Sequence, residues 1–146
     1  MRLTTSKMAA LCAAACALAV ARLTLVCDQG SAVRWARRGC VNEAPLLGVR
    51  QLKRRDTLAW AVVALGSRRL VGASCLEQSL ALTNMLRLAR IPGRLVIGVS
   101  RRAEFHAHAW VESGGDVILG AAQAEGMTAL LSSSSNPSNT ASCPAS

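Results

Sequence analysis

One cysteine, two histidines and a handful of carboxylates are the residues of this chain whose setting could support covalent chemistry. The cysteine stands in Gly72-Ala73-Ser74-Cys75-Leu76-Glu77-Gln78-Ser79-Leu80-Ala81-Leu82. Ser74 followed three residues later by Glu77 is the pattern of a capping box. The serine oxygen accepts from the Glu77 amide, and the carboxylate reaches back to the Ser74 amide. Cys75 is then the first helical residue, where unpaired N–H groups and the positive end of the helix dipole favour an anion. A thiol in that place is a candidate nucleophile. The competing reading is a cysteine that only fills apolar space, as free cysteines commonly do.

A nucleophilic thiol needs a base. Both histidines of the chain lie in Phe105-His106-Ala107-His108-Ala109-Trp110-Val111-Glu112. Read as a strand, this segment turns Phe105, Ala107, Ala109 and Val111 one way and His106, His108, Trp110 and Glu112 the other. If the helix begun by Cys75 packs its N-terminus against the histidine face, a thiolate–imidazolium pair results. That is the nucleophile–base pairing of cysteine proteases and related acyl-transfer enzymes. The alternative is a pair of strand histidines without a role.

The elements that must hold these residues are legible from period and punctuation. Residues 8–26 read as a helix, and the pattern from about Leu52 to Leu65 is helical with an apolar stripe of Leu52, Leu58, Ala59, Val62 and Val63. Between them, residues 27–48 are mixed and broken by Gly30, Gly39, Pro45 and Gly48, with Arg34, Arg37 and Arg38 on a short helical turn. The Cys75 helix should run to about Arg90 and be apolar nearly all round, the mark of a central helix. Pro92-Gly93 stops it. The period then changes. Arg94–Val99, Phe105–Glu112 and Val117–Gly120 read as three strands of an antiparallel meander, with Ser113-Gly114-Gly115-Asp116 as a tight connection. Beyond about Leu131 the serine-rich tail is low in complexity and is expected to be disordered. The fold class is therefore α+β. The domain reading is a helical, basic part over 1–55, a catalytic core of the same domain over 56–131, and a Ser-rich tail over 132–146.

Composition narrows the function. The 146 residues are 51% hydrophobic with one Phe, three Trp and no Tyr, so the core must be aliphatic and rich in alanine. The net charge of +9 lies wholly in residues 1–74, which hold 12 basic against three acidic residues; 75–146 balance at five and five. A basic half could meet nucleic acid, anionic lipid or an acidic peptide. No zinc-finger spacing or RNA-binding aromatic motif accompanies the arginines, which argues against nucleic acid. The six cysteines, at 12, 16, 27, 40, 75 and 143, show no CxxC pair and no Cys/His metal spacing, so neither metal nor cofactor is called for. Residues 8–21 have the layout of a signal peptide with Ala19-Val20-Ala21 as a cleavage site. An alanine-rich core helix fits them equally well. Arg22 interrupts the apolar run and argues against a stable membrane span.

Three blocks carry a resemblance: Ser74–Leu82, then Ile91-Pro92-Gly93-Arg94-Leu95-Val96-Ile97-Gly98-Val99, then Ala107-His108-Ala109-Trp110-Val111-Glu112. In order, spacing and wording they look like the transglutaminase-like proteins of lasso peptide biosynthesis, and more narrowly the stand-alone leader-peptidase half of the lasso B protein. The agreement covers about residues 56–120. It implies a transglutaminase-like, papain-like core with a Cys-His-Asp triad, in which Cys75 matches the nucleophile and His108 the base. His106 falls on no family motif position. The family's orienting aspartate lies on the strand after the histidine strand. The aligned position here is Gly120, so the acid nearest to it, Asp116, is taken as third member, with Glu112 as the fallback.

The function so implied is removal of the leader from a ribosomally made lasso precursor by peptide-bond hydrolysis. Cys75 attacks the scissile carbonyl, His108 moves the protons, and the Cys75 amide donates to the oxyanion. The implied partners are the precursor's leader, a small leader-binding protein and a cyclase resembling asparagine synthetase. The implied location is the bacterial cytoplasm, where 8–26 is a helix of the fold and the cysteines stay reduced. The alternatives are an acyl transferase using the same dyad, or a non-catalytic binding subunit of the same maturation complex. The basic half is a candidate surface for docking the partner or an acidic leader.

Overall fold

A computed structural model of the chain describes residues 5–27, 47–68, 71–100, 106–124 and 127–132. Among the described residues three long helices come first. Helix α1 spans Thr5–Cys27, α2 Val49–Gly66 and α3 Cys75–Leu88. Strands β1 (Arg94–Ser100), β2 (His106–Ser113) and β3 (Asp116–Leu119) follow, then a helical turn α4 (Ala121–Ala124) and a strand β4 (Thr128–Ser132). The antiparallel sheet has the order β3-β2-β1-β4. The expected turn around Arg34–Arg38, Phe105, most of the β1–β2 connection, Cys40, Cys143 and the serine tail lie outside the described residues.

The helices form because their apolar residues fall on faces that meet. α1 buries Ala10, Ala14, Ala17, Leu18 and Ala21, a small-residue stripe that lets α2 and α3 approach closely. By length and composition α1 is also long and apolar enough to cross a membrane. Here its buried stripe belongs to the core, while Met8, Val20, Leu23 and Val26 face outward. α2 starts with the Gln51 side chain accepting from the Gly48 amide at 3.1 Å. Its buried face is Arg55, Ala59, Ala61, Val62 and Gly66; of the expected stripe, Ala59 and Val62 are buried and Leu58 packs on the core, whereas Val63 is exposed. Lys7 Nζ stands 5.3 Å from the centre of the Trp60 ring, a cation–π contact between α1 and α2.

α3 is the central helix, with Ser79 through Thr83, Met85 and Leu86 all buried. It ends at Leu88, before the expected Arg90, because Arg90 takes a left-handed conformation at φ 56°. The Ile91 amide then bonds the Leu86 carbonyl at 2.9 Å and the Arg90 amide that of Arg87 at 3.0 Å, a Schellman closure with arginine where glycine is usual. Ile91 is fully buried and seals the end.

The meander appears as expected, with one added strand. β2 pairs β1 from Arg94↔Glu112 to Ser100↔His106. It turns into β3 through Gly114 and Gly115, both at positive φ, which suits a two-residue hairpin. β4, which the sequence reading assigned to no strand, adds antiparallel to the other edge of β1. The sheet's Ala109, Val111, Leu95 and Leu119 join the helices in one core.

Candidate active site

The capping box predicted from Ser74 and Glu77 is formed. Ser74 is extended at φ −64° and ψ 162°, its Oγ accepts from the Glu77 amide at 3.2 Å, and Glu77 Oε2 accepts from the Ser74 amide at 2.6 Å. Cys75 is the first residue of α3 and is half-buried. The chain leading to it is pinned on two sides. Gln78 Nε2 donates to the Ala73 carbonyl at 2.8 Å. The Gln78 side chain packs so closely on Gly66 that a Cβ there would stand 2.7 Å from its Cδ. From α1, Arg22 donates Nε to Glu77 Oε1 at 2.8 Å and Nη2 to the Val71 carbonyl at 2.9 Å. Arg22, beside Glu77, holds that carboxyl below its ordinary range; burial opposes this and the Ser74 amide assists it.

α3 and the connection that follows it are each tied to the histidine strand by one bond. Ser79 Oγ donates to the Ala109 carbonyl at 3.1 Å, both residues being buried. At the far end, Ser113 Oγ donates to the Pro92 carbonyl at 2.5 Å. Helix and strand therefore run side by side, with the Cys75 end of α3 beside the His108 end of β2. Cys75 lies one turn, about 5.4 Å, before Ser79 on the same side of the helix. His108 adjoins Ala109. No hydrogen bond joins Cys75 to His108 in this structure, and catalytic hydrogen bonds in unliganded enzymes are commonly long.

Strand alternation divides β2 as expected, but α3 packs on the other face from the one expected. Ala109 and Val111 point into the helical core, so His108, Trp110 and Glu112 turn to the opposite face. β3 pairs β2 as far as Leu119, opposite Val111, and Gly120 and α4 then follow along the next stretch of β2. His108 Nε2 is buried and accepts or donates no hydrogen bond. It faces Gly120: a Cβ on that residue would lie 2.9 Å from Nε2 and 3.0 Å from Trp110 Cβ. Gly120 has φ +81°, a conformation that glycine adopts without strain.

The expected third member is placed elsewhere. Asp116 sits opposite Ser113, five residues along β2 from His108, or about 16 Å at the usual strand rise. Its Oδ2 accepts from Arg55 Nη1 at 3.1 Å. Adjacency in sequence to Gly120 suggested proximity to the base, but β3 runs antiparallel to β2 and carries Asp116 to the wrong end. The fallback, Glu112, is engaged as well. Its Oε2 accepts from Arg94 Nε at 2.6 Å and its Oε1 from Trp110 Nε1 at 2.8 Å. No described carboxylate bonds His108.

Trp110 has a visible structural purpose. Its ring lies over Gly98, where a Cβ would stand 2.6 Å from Cη2, so the bare backbone of β1 makes room for the indole beside His108. Sequence reasoning missed two participants. Arg22 was read only as an interruption of an apolar run, and Ser79 as a helix interior residue. A serine inside an otherwise apolar helix was the available signal, since a buried hydroxyl needs a partner. Among the described residues no cluster of three or more metal-ligating side chains occurs, and Cys12, Cys16, Cys27 and Cys75 are free thiols.

Comparison with known proteins gives one result. A family model described as the transglutaminase-like superfamily matches residues 10–132, from within α1 to the end of β4. No curated protein and no solved structure matches the chain.

Proposed function

Because the chain belongs to the transglutaminase-like superfamily, we propose that it is a cysteine peptidase that removes the leader from a lasso peptide precursor. The observation carrying this reading is the capped start of α3. It presents Cys75 at a helix N-terminus, one turn from the Ser79–Ala109 bond that fastens the helix to the strand residue following His108. In this mechanism His108 takes the thiol proton and Cys75 attacks the carbonyl at the leader–core junction. The Cys75 amide, at the positive end of the helix, donates to the developing oxyanion. Protonation by His108 expels the core's amine, and water hydrolyses the thioester to release the leader.

The partners under this proposal are the leader, a leader-binding protein and an asparagine-synthetase-like cyclase, and the site of action is the bacterial cytoplasm. The groove between α1 and α2, lined by Ser6, Ala9, Ala13, Lys53, Arg54 and Thr57, offers a basic rim for an acidic segment of the leader or its carrier.

One observation favours a second reading, a non-catalytic binding subunit: the position aligned with the family's acid is Gly120, and His108 Nε2 has no partner. The third member of such a triad mainly orients the imidazole, so its absence reduces the rate without removing the chemistry. Incubating the chain with precursor and leader-binding protein and weighing the products separates the readings. Hydrolysis gives a core peptide with a new free amine and a leader with a free carboxylate. An acyl transferase gives a leader joined to an added amine, and a binding subunit gives intact precursor.

A further inference from the structure

Arg22 is the only described side chain that ties α1 to the segment leading into Cys75 through more than one acceptor. Its Nε donates to Glu77 Oε1 at 2.8 Å, and its Nη2 donates to the carbonyls of Val71 at 2.9 Å and Gly72 at 3.4 Å. Gly72 is at φ +50°, so the chain bends there just before the cap. Glu77 spends its other oxygen on the Ser74 amide. One guanidinium thus holds the bend, the capping carboxylate and, through that carboxylate, the first turn of α3.

The charge arrangement follows from the same contacts. Glu77 lies two residues after Cys75 in the first helical turn, and a lone carboxylate there opposes ionisation of the sulfur. Among the described residues, the charged groups at this end of α3 are Glu77 on the helix itself and Arg22 from α1; His108 lies on the neighbouring strand β2. Arg68, at the end of α2, turns its Nε to the Ala64 carbonyl. Arg22 is the group paired directly with Glu77.

We propose that Arg22 is a positioning residue for the Cys75 thiol: it fixes the chain entering α3 and offsets the charge of Glu77, so that the cap is kept without penalising the thiolate. This rests on the reading of Cys75 as nucleophile. The sequence gives no hint of it, because Arg22 and Glu77 are 55 residues apart.

The test is the rate at which iodoacetamide alkylates Cys75 in the full-length chain across pH, resolved by peptide mass spectrometry, with exposed Cys12 and Cys16 as internal controls. Arg22→Ala slows Cys75 alkylation at pH 7 about fivefold and leaves the rate at high pH unchanged. Arg22→Lys recovers part of the loss. Glu77→Gln keeps an oxygen for the cap but removes the charge, so it accelerates Cys75 at pH 7, both alone and added to Arg22→Ala. Unchanged pH profiles in Arg22→Ala and Glu77→Gln overturn the proposal. If Arg22→Ala does not fold, Glu77→Gln alone decides. The assay does not depend on peptidase activity. A wild-type chain that leaves precursor intact while these alkylation shifts are seen counts against the proposed function and not against the role of Arg22.

Discussion

Gly120 lies against His108 so closely that a single added carbon would stand 2.9 Å from Nε2. The imidazole occupies the space that a side chain at 120 would need, and the backbone there is at φ +81°. Gly120→Ala therefore meets two penalties at once, a steric one with the ring and a conformational one with the backbone. It should lower stability by about 1–3 kcal/mol and displace the imidazole. Urea melts alongside leader cleavage check this; a variant as stable and as active as wild type contradicts it.

Asp116 belongs to a different arrangement. Arg55 is a buried arginine whose Nη1 donates to the Ser113 carbonyl at 2.9 Å and to Asp116 at 3.1 Å, while its Nε donates to Asp56 at 2.9 Å. Asp116 and Asp56 are themselves largely exposed, so each pair contributes no more than about 1 kcal/mol. Asp116→Asn should leave leader cleavage within about twofold of wild type. Arg55→Ala strands the buried Ser113 carbonyl and should cost about 2 kcal/mol. Cleavage abolished by Asp116→Asn in a folded chain would return the acid to the mechanism.

Ser79 joins the helix that begins at Cys75 to the strand that holds His108. Ser79→Ala leaves the buried Ala109 carbonyl unpaired on that side, at a cost of about 1–2 kcal/mol. It should also lower kcat more than it raises KM, because it loosens the reacting groups and not substrate docking. Steady-state kinetics on a fluorogenic leader–core peptide read this split.

The cap is sensitive to acid. Arg22 holds Glu77 below its ordinary value of 4.5. A carboxyl whose folded pKa is lowered stabilises the fold fully above the ordinary value and loses that contribution as pH falls through the lowered one. Wild type should therefore melt higher than Glu77→Gln at pH 7, and the gap should close as pH falls below 4.5. A gap that stays constant down to pH 3 contradicts the ion pair.

The two histidines should separate by function. His106 is exposed at the start of β2, whereas His108 is half-buried with one nitrogen wholly enclosed. His108→Ala should lower cleavage by at least about 100-fold and His106→Ala by less than about threefold. Equal losses would mean that the other imidazole, or neither, is the base.

Much of this architecture was legible in the residues. The Ser74–Glu77 spacing named the start of α3, and the period change after Pro92-Gly93 named the sheet. The Gly114-Gly115 pair marked the hairpin. What stayed hidden depends on long-range contact. Met127-Thr128-Ala129-Leu130-Leu131 has residues that favour helix as readily as strand, and only the free edge of β1 makes it β4. Arg55 lies in a basic run, Arg50 to Arg55, that reads as a solvated face, and burial of one member follows from a hairpin turn 58 residues away. Strand alternation put His108, Trp110 and Glu112 together, but could not say which face of the sheet the helices would cover. The absence of an acid from the aligned position was visible as Gly120; that the glycine touches the imidazole itself was not.

The most direct measurement compares wild type with Cys75→Ala on the same precursor, with leader-binding protein present, by intact-mass spectrometry of the released peptides. The account predicts leader release by wild type and none by Cys75→Ala, with identical circular dichroism spectra and melting profiles. Leader release by Cys75→Ala at the wild-type rate would contradict it.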